Sequence, residues 1–190
     1  MSIAGGQKIL ASEYLAAIAA VQALIPPYIG SDTAASAKPA LTVTITGTWN
    51  YLDVQWYGRS DNNSAAVSAY LQLNGDTTSS YLWEQVETNN STTAATPSGA
   101  TDTVMHIGTM PALTATASYM GAGGFTIAGA SSSLYKVVTS RAAGHTGLTN
   151  VRIGTYAGQW NKTAAVTSIS LMPATGNWVV GSMLSVYGRN

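Results

Sequence analysis

The residues that could carry out acid–base or metal chemistry are few and widely spaced in this chain. It has two histidines, eight acidic side chains and no cysteine among 190 residues. Neither His106 nor His145 has a second histidine at the spacing of a zinc site, and Glu84 and Glu87 would face opposite sides of one strand. No nucleophile-elbow, phosphate-loop, calcium-loop or dinucleotide-binding motif is present. We therefore predict no catalytic residue, no cofactor, no metal and no enzymatic activity.

Each histidine has a simpler structural interpretation. His106 stands between Met105 and Ile107 in a strand pattern, so we expect a structural role. His145 lies in the segment 144–147, which begins and ends with glycine, so we expect a surface turn there.

The aromatic composition is unusual: the chain has five Trp and ten Tyr but a single Phe. Such rings combine a flat apolar face with a polar edge, which suits interfaces and stacking on sugars. Trp56 falls on the inward phase of a strand and is expected in the core. Trp49, Trp160 and Trp178 lie near strand ends or turns, so they are candidates for glycan stacking, with the core as the alternative for each.

The chain is poor in charge. Only 8% of its residues are Asp, Glu, Lys or Arg, against roughly 25% in ordinary soluble domains. Eight acidic and eight basic residues balance, so no net field would attract nucleic acid or an anionic membrane. Uncharged polar surfaces of this kind are typical of proteins that pack permanently against copies or other subunits, or that act outside a cell.

The N-terminal segment predicts a helix. Ser12 suits an N-cap, Glu13 follows in the first turn, and Pro26-Pro27 ends the pattern. Its apolar positions recur at helical spacing and are the candidate oligomerisation or attachment residues: Leu15, Ile18, Val21, Leu24 and Ile25. Such a short helix is marginal alone, so it must dock on its own body or, as we prefer, bind other chains. The stretch is too short and weakly apolar to cross a bilayer, and no cleavable leader is expected.

The remaining chain predicts a linker and one β-domain. Residues 1–27 form the helical segment, 28–39 the linker and 40–190 the body. In the body the apolar period changes to two, as in Leu41, Val43 and Ile45. Asn74-Gly75 predicts a hairpin with a returning strand from Tyr81, and residues 89–101 predict a long exposed loop. We expect a mostly β protein, an antiparallel β-sandwich of jelly-roll type with one short N-terminal α-helix.

Three stretches together resemble bacteriophage virion structural proteins: small tail, tail-fibre or head-decoration proteins with jelly-roll domains. Residues 7–15 are similar to the "GxKxxASxxN" opening of many minor tail and fibre proteins. Residues 73–81 resemble an "NGDxxxNY" hairpin, with Ser79-Ser80 departing from it. Residues 166–171 and 181–188 are similar to an "I-x-S-I-x-L … GS-x-x-x-LYG" ending, with Val186 in place of a leucine.

The resemblance implies a virion protein that is assembled in the cytoplasm of a bacterial host. Its partners would be copies of itself, with a homotrimer as the first expectation, and other virion proteins. A host-surface glycan is a further candidate. The protein would be a minor tail, tail-fibre or tail-tip protein; the alternatives are a capsid decoration or head-fibre protein, and a free lectin-like carbohydrate-binding module. No binding residue carries over from the family.

Overall fold

Twelve β-strands form the described part of the chain. The computed structural model describes residues 26–90, 92–147 and 150–190, together with Glu13, Leu15 and Ala16. The strands are β1 (Tyr28–Thr33), β2 (Leu41–Thr44), β3 (Tyr51–Gly58), β4 (Ala66–Leu73), β5 (Tyr81–Asn89), β6 (Thr92–Asp102), β7 (Met105–Pro111), β8 (Gly121–Ala128), β9 (Lys136–Gly147), β10 (Asn150–Trp160), β11 (Ser168–Pro173) and β12 (Met183–Arg189).

The strands make two antiparallel sheets. Eight form the large sheet in the order β1-β12-β3-β8-β9-β10-β5-β6, and four form the small sheet in the order β2-β11-β4-β7. The small sheet packs against one face of the large one, chiefly where β7 contacts β9 and β10. The prediction of a mostly β protein with antiparallel sheets in a sandwich is confirmed.

The core lies between the sheets and follows the predicted alternation. In β3, Leu52, Val54 and Trp56 are buried while the residues between them face outward. Two glycines make room for the Trp56 ring: a Cβ on Gly108 or on Gly123 would lie 2.8 Å from an indole atom. Because that separation is far below van der Waals contact, only glycine fits at these two positions.

The first strand corrects the predicted linker. Residues 28–33 form β1, which pairs with β12 at the edge of the large sheet, so the sandwich begins at residue 28 rather than 40. Tyr28 packs edge-on against Tyr187 with ring centroids 5.7 Å apart. The carboxylate of Asp32 pairs with Lys38 and accepts the backbone N–H of Thr42 at 2.7 Å. These long-range partners order a segment that its own Gly, Ser and Ala content marked as a linker.

A second correction concerns the predicted loop at residues 89–101. After a turn at Asn90, where φ is 58°, residues 92–102 form β6, which pairs with β5 at the other edge of the large sheet. The threonines that suggested a polar loop are β-branched and suit an extended backbone equally well.

Asn74-Gly75 makes the predicted tight turn without the predicted hairpin. Both residues have positive φ, 55° and 64°, and the N–H of Asp76 donates to the carbonyl of Leu73 at 2.9 Å. However, β4 belongs to the small sheet and β5 to the large one. The turn therefore carries the chain from one sheet to the other.

The predicted N-terminal helix lies almost wholly outside the described residues. Glu13, Leu15 and Ala16 are helical in conformation and exposed, whereas Ile18, Val21, Leu24 and Ile25 are not described. The helix and its role therefore stay predictions. No helix in the described part of the chain has the length and apolar character needed to cross a membrane.

A buried carboxylate joins the two sheets. Glu87 of β5 accepts hydrogen bonds from the hydroxyls of Thr109 and Tyr156, each at 2.6 Å, and from the guanidinium of Arg152 at 2.8 Å. Thr109 belongs to the small sheet, and the other residues belong to the large one. Burial raises the pKa of Glu87, but the hydrogen bonds from Thr109 and Tyr156 and the charge of Arg152 outweigh burial, so its pKa lies below the usual value.

Candidate functional site

The outer face of the large sheet carries a row of polar side chains around one glycine. The ladder places Ser185, Gln55, Gly124, Arg141 and Thr155 opposite one another across five adjacent strands, β12, β3, β8, β9 and β10. At about 4.8 Å between strands, the row is about 19 Å long. Since successive residues alternate between faces, all five lie on the face opposite to the core. Ser185, at the end of the row, is buried there (6% exposed), and the other four positions line the outer surface.

An open groove follows this row. It divides into two overlapping parts of about 630 and 870 Å³, both lined by Gln55, Gly124, Arg141 and Thr155. Because Gly124 has no side chain, the floor is lowest between Gln55 and Arg141. Volumes of this size are typical of small-molecule and sugar-sized sites.

The smaller part of the groove has an aromatic wall. Ala122 and Ala143 are neighbours in the ladder and form a shallow floor. Tyr57 and Met183 pair on one side of that floor, and Ile153 stands on the other. The Tyr57 side chain is 39% exposed, so part of its ring is open to a ligand.

The larger part of the groove is more polar. Thr126 and Thr139 form its floor, while Tyr187 and Asp53 form one side. Asp53 accepts from the hydroxyl of Thr126 at 2.7 Å and from the guanidinium of Arg189. Burial raises the pKa of Asp53, but the hydrogen bonds from Arg189 and Thr126 outweigh it and leave its pKa below the usual value. Asp53 is therefore ionised and already paired.

Arg141 differs from Asp53 because it has no partner of opposite charge among the residues that the structure describes. Its side chain is exposed, and no side chain among the described residues forms a hydrogen bond or ion pair with it. Its neighbours in the row are Gly124 and Thr155, and its neighbours on the same face of β9 are Thr139 and Ala143. None of these four carries a charge.

The chemistry that this arrangement offers is recognition. Tyrosine rings can stack on the apolar face of a sugar, while the Gln55 amide and the Thr155 hydroxyl can donate and accept hydrogen bonds. In the part of the chain that the structure describes, no three His, Asp or Glu side chains cluster as metal ligands would.

The two histidines lie away from the groove. His106 is buried among the rings of Tyr70, Trp83 and Tyr156, with centroids 5.0–5.7 Å away, as a structural residue would be. Desolvation lowers the pKa of His106 and so favours its neutral form. His145 is exposed as predicted, but it lies within β9 rather than in a turn.

The predicted stacking residues are corrected by their burial. Trp178 is 0% exposed and Trp160 is 2% exposed, so neither ring has a face for a sugar. The Nε1 of Trp160 donates to Asp76 at 2.7 Å, and that of Trp178 donates to the Leu171 carbonyl at 2.9 Å. Each ring is core, with its single polar atom satisfied.

The predicted roles of Trp49 in stacking and of the helical positions in attachment stay predictions. Trp49 is half-buried, covers Gly188 and donates from its indole nitrogen to the Thr46 carbonyl at 2.7 Å. Its role in stacking stays a prediction. Leu15 is 64% exposed, and the other four attachment residues lie outside the described part of the chain.

Sequence reasoning missed the groove and its two tyrosines. One sequence signal for it exists: the alternation in β3 places Gln55 and Tyr57 on the face opposite to Trp56. The ladder then adds what the alternation could not show, namely that Arg141 lies two strands away from Gln55 in the same row.

Comparisons with known proteins give only loose likenesses. No protein-family model and no curated protein sequence matches the chain. Among the similar solved structures, an exo-inulinase from Aspergillus awamori has 14% identity and a TM-score of 0.42, and the match covers 86% of this chain and 29% of that chain. A galectin from Caenorhabditis elegans has 7% identity and a TM-score of 0.38, with 82% of this chain and 94% of that chain covered. The enzymatically active domain of tailspike protein 2 from bacteriophage CBA120 has 9% identity and a TM-score of 0.30, with 87% of this chain and 28% of that chain covered.

These neighbours include lectin, glycosidase and phage tail proteins, but all three TM-scores are below 0.5 and carry no argument about function. The chain spans less than a third of the inulinase and tailspike chains. The strand pairing therefore defines the fold, and the groove is the feature of the molecule that bears on its function.

Proposed function

We propose that this chain is a non-enzymatic bacteriophage virion structural protein whose β-sandwich binds a host-surface glycan in the outer-face groove. The observation that carries the glycan part is the groove itself: an open trough along the row Gln55-Gly124-Arg141-Thr155, with Tyr57 and Tyr187 on one side. A groove that is open along its length accepts a chain of sugars and does not enclose a small molecule.

The lining favours carbohydrate over other ligands. Tyr57 and Tyr187 offer ring faces on the β3 and β12 side, next to uncharged amide and hydroxyl groups that match sugar hydroxyls. The smaller part has an apolar strip, Met183-Tyr57-Ala122-Ala143-Ile153, but the adjacent row with Gln55, Arg141 and Thr155 is polar. This mixture of apolar surface and hydrogen-bonding groups suits a sugar better than a lipid or an apolar helix.

The virion part of the proposal rests on the sequence. The balanced, 8% charge content suits permanent assembly, and both ends of the chain resemble phage virion proteins. We place the protein in the minor tail, tail fibre or tail tip as a homotrimer, within virions assembled in the host cytoplasm. The N-terminal helix would attach the sandwich to the particle, and the sandwich would project outward.

The strand order supports a jelly-roll topology. The second-last strand, β11, inserts between β2 and β4, and the last strand, β12, inserts between β1 and β3. Early and late strands therefore alternate at one end of each sheet, as folding over of a long antiparallel hairpin would produce, whereas β8, β9 and β10 lie side by side in chain order.

Two carboxylates that an enzyme might use for catalysis already accept hydrogen bonds from neighbouring side chains. Asp53 is bound by Thr126 and Arg189, and Glu87 is bound by three donors. Since both are held ionised by their partners, neither suits a general acid that must carry a proton near neutral pH.

Deletion of residues 1–25 tests the virion role, because it spares Pro26 in the groove lining and all of β1. We expect the truncated protein to keep its circular dichroism spectrum and its binding to host cells, but to be missing from purified particles. Incorporation of the truncated protein at the wild-type level would contradict attachment through the helix. Light scattering separates the alternatives: a stable full-length monomer favours the free lectin-like module, and a trimer favours the virion protein.

A further inference from the structure

We infer that the glycan bound by the groove carries a negatively charged substituent, and that Arg141 binds this anion. The inference deepens the proposed function and rests on it. Arg141 lines both parts of the groove, so a ligand lying along the central row must pass over its guanidinium.

The surroundings of Arg141 leave its charge uncompensated. The strand between Arg141 and Gln55 contributes only Gly124 to this row, so the guanidinium faces an empty floor. Thr155 on the other side is uncharged. Arg141 is therefore a fixed positive charge beside a trough, and it has no internal counter-charge among the described residues.

The acids on the same face do not neutralise Arg141. Asp53 lies two strands away and is bound by Arg189. Glu84 also lies two strands from β9, opposite Ala157 of β10. Two strand spacings are about 10 Å, roughly the screening length in physiological salt, so neither acid compensates Arg141 strongly.

The chemistry of the guanidinium selects the type of ligand. Its planar fork donates two parallel hydrogen bonds to a carboxylate or a phosphate, and such charge-assisted bonds are roughly twice as strong as neutral ones. A neutral sugar would leave the charge unmatched. A uronate carboxylate or a sugar phosphate would be held at Arg141 while its ring contacts the tyrosine side of the groove.

The test compares matched polysaccharides on one surface. Bacterial polysaccharides are arrayed untreated, after reduction of their carboxylates to primary alcohols, and after removal of their phosphates. We expect the full-length protein to bind untreated forms about 10- to 100-fold more tightly than the treated form that lacks the relevant anion, which is the contribution of one charge-assisted contact. The carboxylate and phosphate arms then identify the anion.

Three variants assign the preference to this side chain. Arg141→Gln should bind treated and untreated forms equally, whereas Arg141→Lys should keep part of the preference. Lys162→Gln is the matched control, because it removes one positive charge from an exposed loop position outside the groove and should retain the full preference. Arg141 is exposed, so none of these changes disturbs the core.

Three results would overturn the inference, and the third is distinguishable from the first two. If the wild type binds treated and untreated polysaccharides equally, or if Arg141→Gln keeps the preference, the anion assignment is wrong while glycan binding stands. If the wild type binds no arrayed polysaccharide at all, both the inference and the proposed glycan function are contradicted.

Discussion

Replacing Glu87 with glutamine is expected to weaken the junction between the two sheets. The side chain is only 7% exposed, and its carboxylate accepts three hydrogen bonds, one of them from the small sheet. Glutamine has the same shape but only one acceptor oxygen. Its amide would meet hydroxyls that now donate to the carboxylate, and Arg152 would lose its ion pair.

The magnitude follows from those three bonds. A hydrogen bond to a charged group contributes about 1.5–3 kcal/mol to stability, and one between neutral groups about 0.5–1.5 kcal/mol. Each of the three bonds should therefore become weaker by about 1 kcal/mol when the acceptor loses its charge. Glu87→Gln should therefore lower the free energy of unfolding by about 3 kcal/mol. For a chain of this size, that corresponds to a fall in Tm of about 6–12 °C.

The stabilisation by Glu87 should depend on pH with a defined sign. In the unfolded chain the pKa of the Glu87 carboxyl has its ordinary value of about 4.5, and in the folded protein its pKa is lower. Its contribution is therefore fully present above pH 4.5 and is lost as the pH falls through the lower folded pKa. The difference in stability between wild type and Glu87→Gln should be constant at neutral pH and shrink in acid.

Urea unfolding of both proteins between pH 3 and pH 8 would measure this difference. Glu84→Gln is the matched control, because Glu84 lies on the same strand but faces solvent, and its effect should stay within about 0.5 kcal/mol. If Glu87→Gln were as stable as Glu84→Gln at neutral pH, the buried carboxylate would not stabilise the junction between the sheets.

Two other substitutions test the packing of the core. Gly108→Ala should destabilise by about 1–3 kcal/mol in urea unfolding, because its Cβ would lie 2.7 Å from the Cβ of Ala142 and 2.8 Å from the Trp56 ring; unchanged stability would contradict this close approach. The carboxylate of Asp76 accepts hydrogen bonds from the indole N–H of Trp160 at 2.7 Å and from the Ser80 hydroxyl at 2.5 Å. Asp76→Asn should therefore lower the free energy of unfolding by about 2 kcal/mol and shift the fluorescence of Trp160. An unshifted spectrum would count against the contact between Asp76 and Trp160.

The sequence predicted most strands because their signal is local. In β3 and β4 the apolar residues alternate with polar ones, and each buried position matches the inward phase. The edge strands β1 and β6 were missed for the opposite reason. Their side chains give no alternation, and backbone pairing with β12 and β5 makes them strands.

The same distinction explains what was found and missed at the site. The phase of β3 predicts that Gln55 and Tyr57 face away from Trp56, but the groove depends on the order β3-β8-β9, which brings Gly124 between Gln55 and Arg141. No local pattern encodes that order. Similarly, composition alone could not show that Trp160 and Trp178 would find buried acceptors and lie in the core rather than on a glycan.

The most direct test of the central claim is to fill the groove and measure glycan binding. Gly124→Leu would place a side chain over the lowest part of the floor, where a Cβ meets only the Val54 carbonyl at 3.1 Å. Ala128→Leu is the matched control, since it lies on the same strand and face, four residues along and outside the groove lining.

Binding of host-surface polysaccharide by the wild type and both variants, followed by surface plasmon resonance, gives the answer. We expect Gly124→Leu to remain folded and to lose binding at least about 100-fold, while Ala128→Leu binds like the wild type. Equal binding by all three proteins would show that the glycan does not bind in this groove.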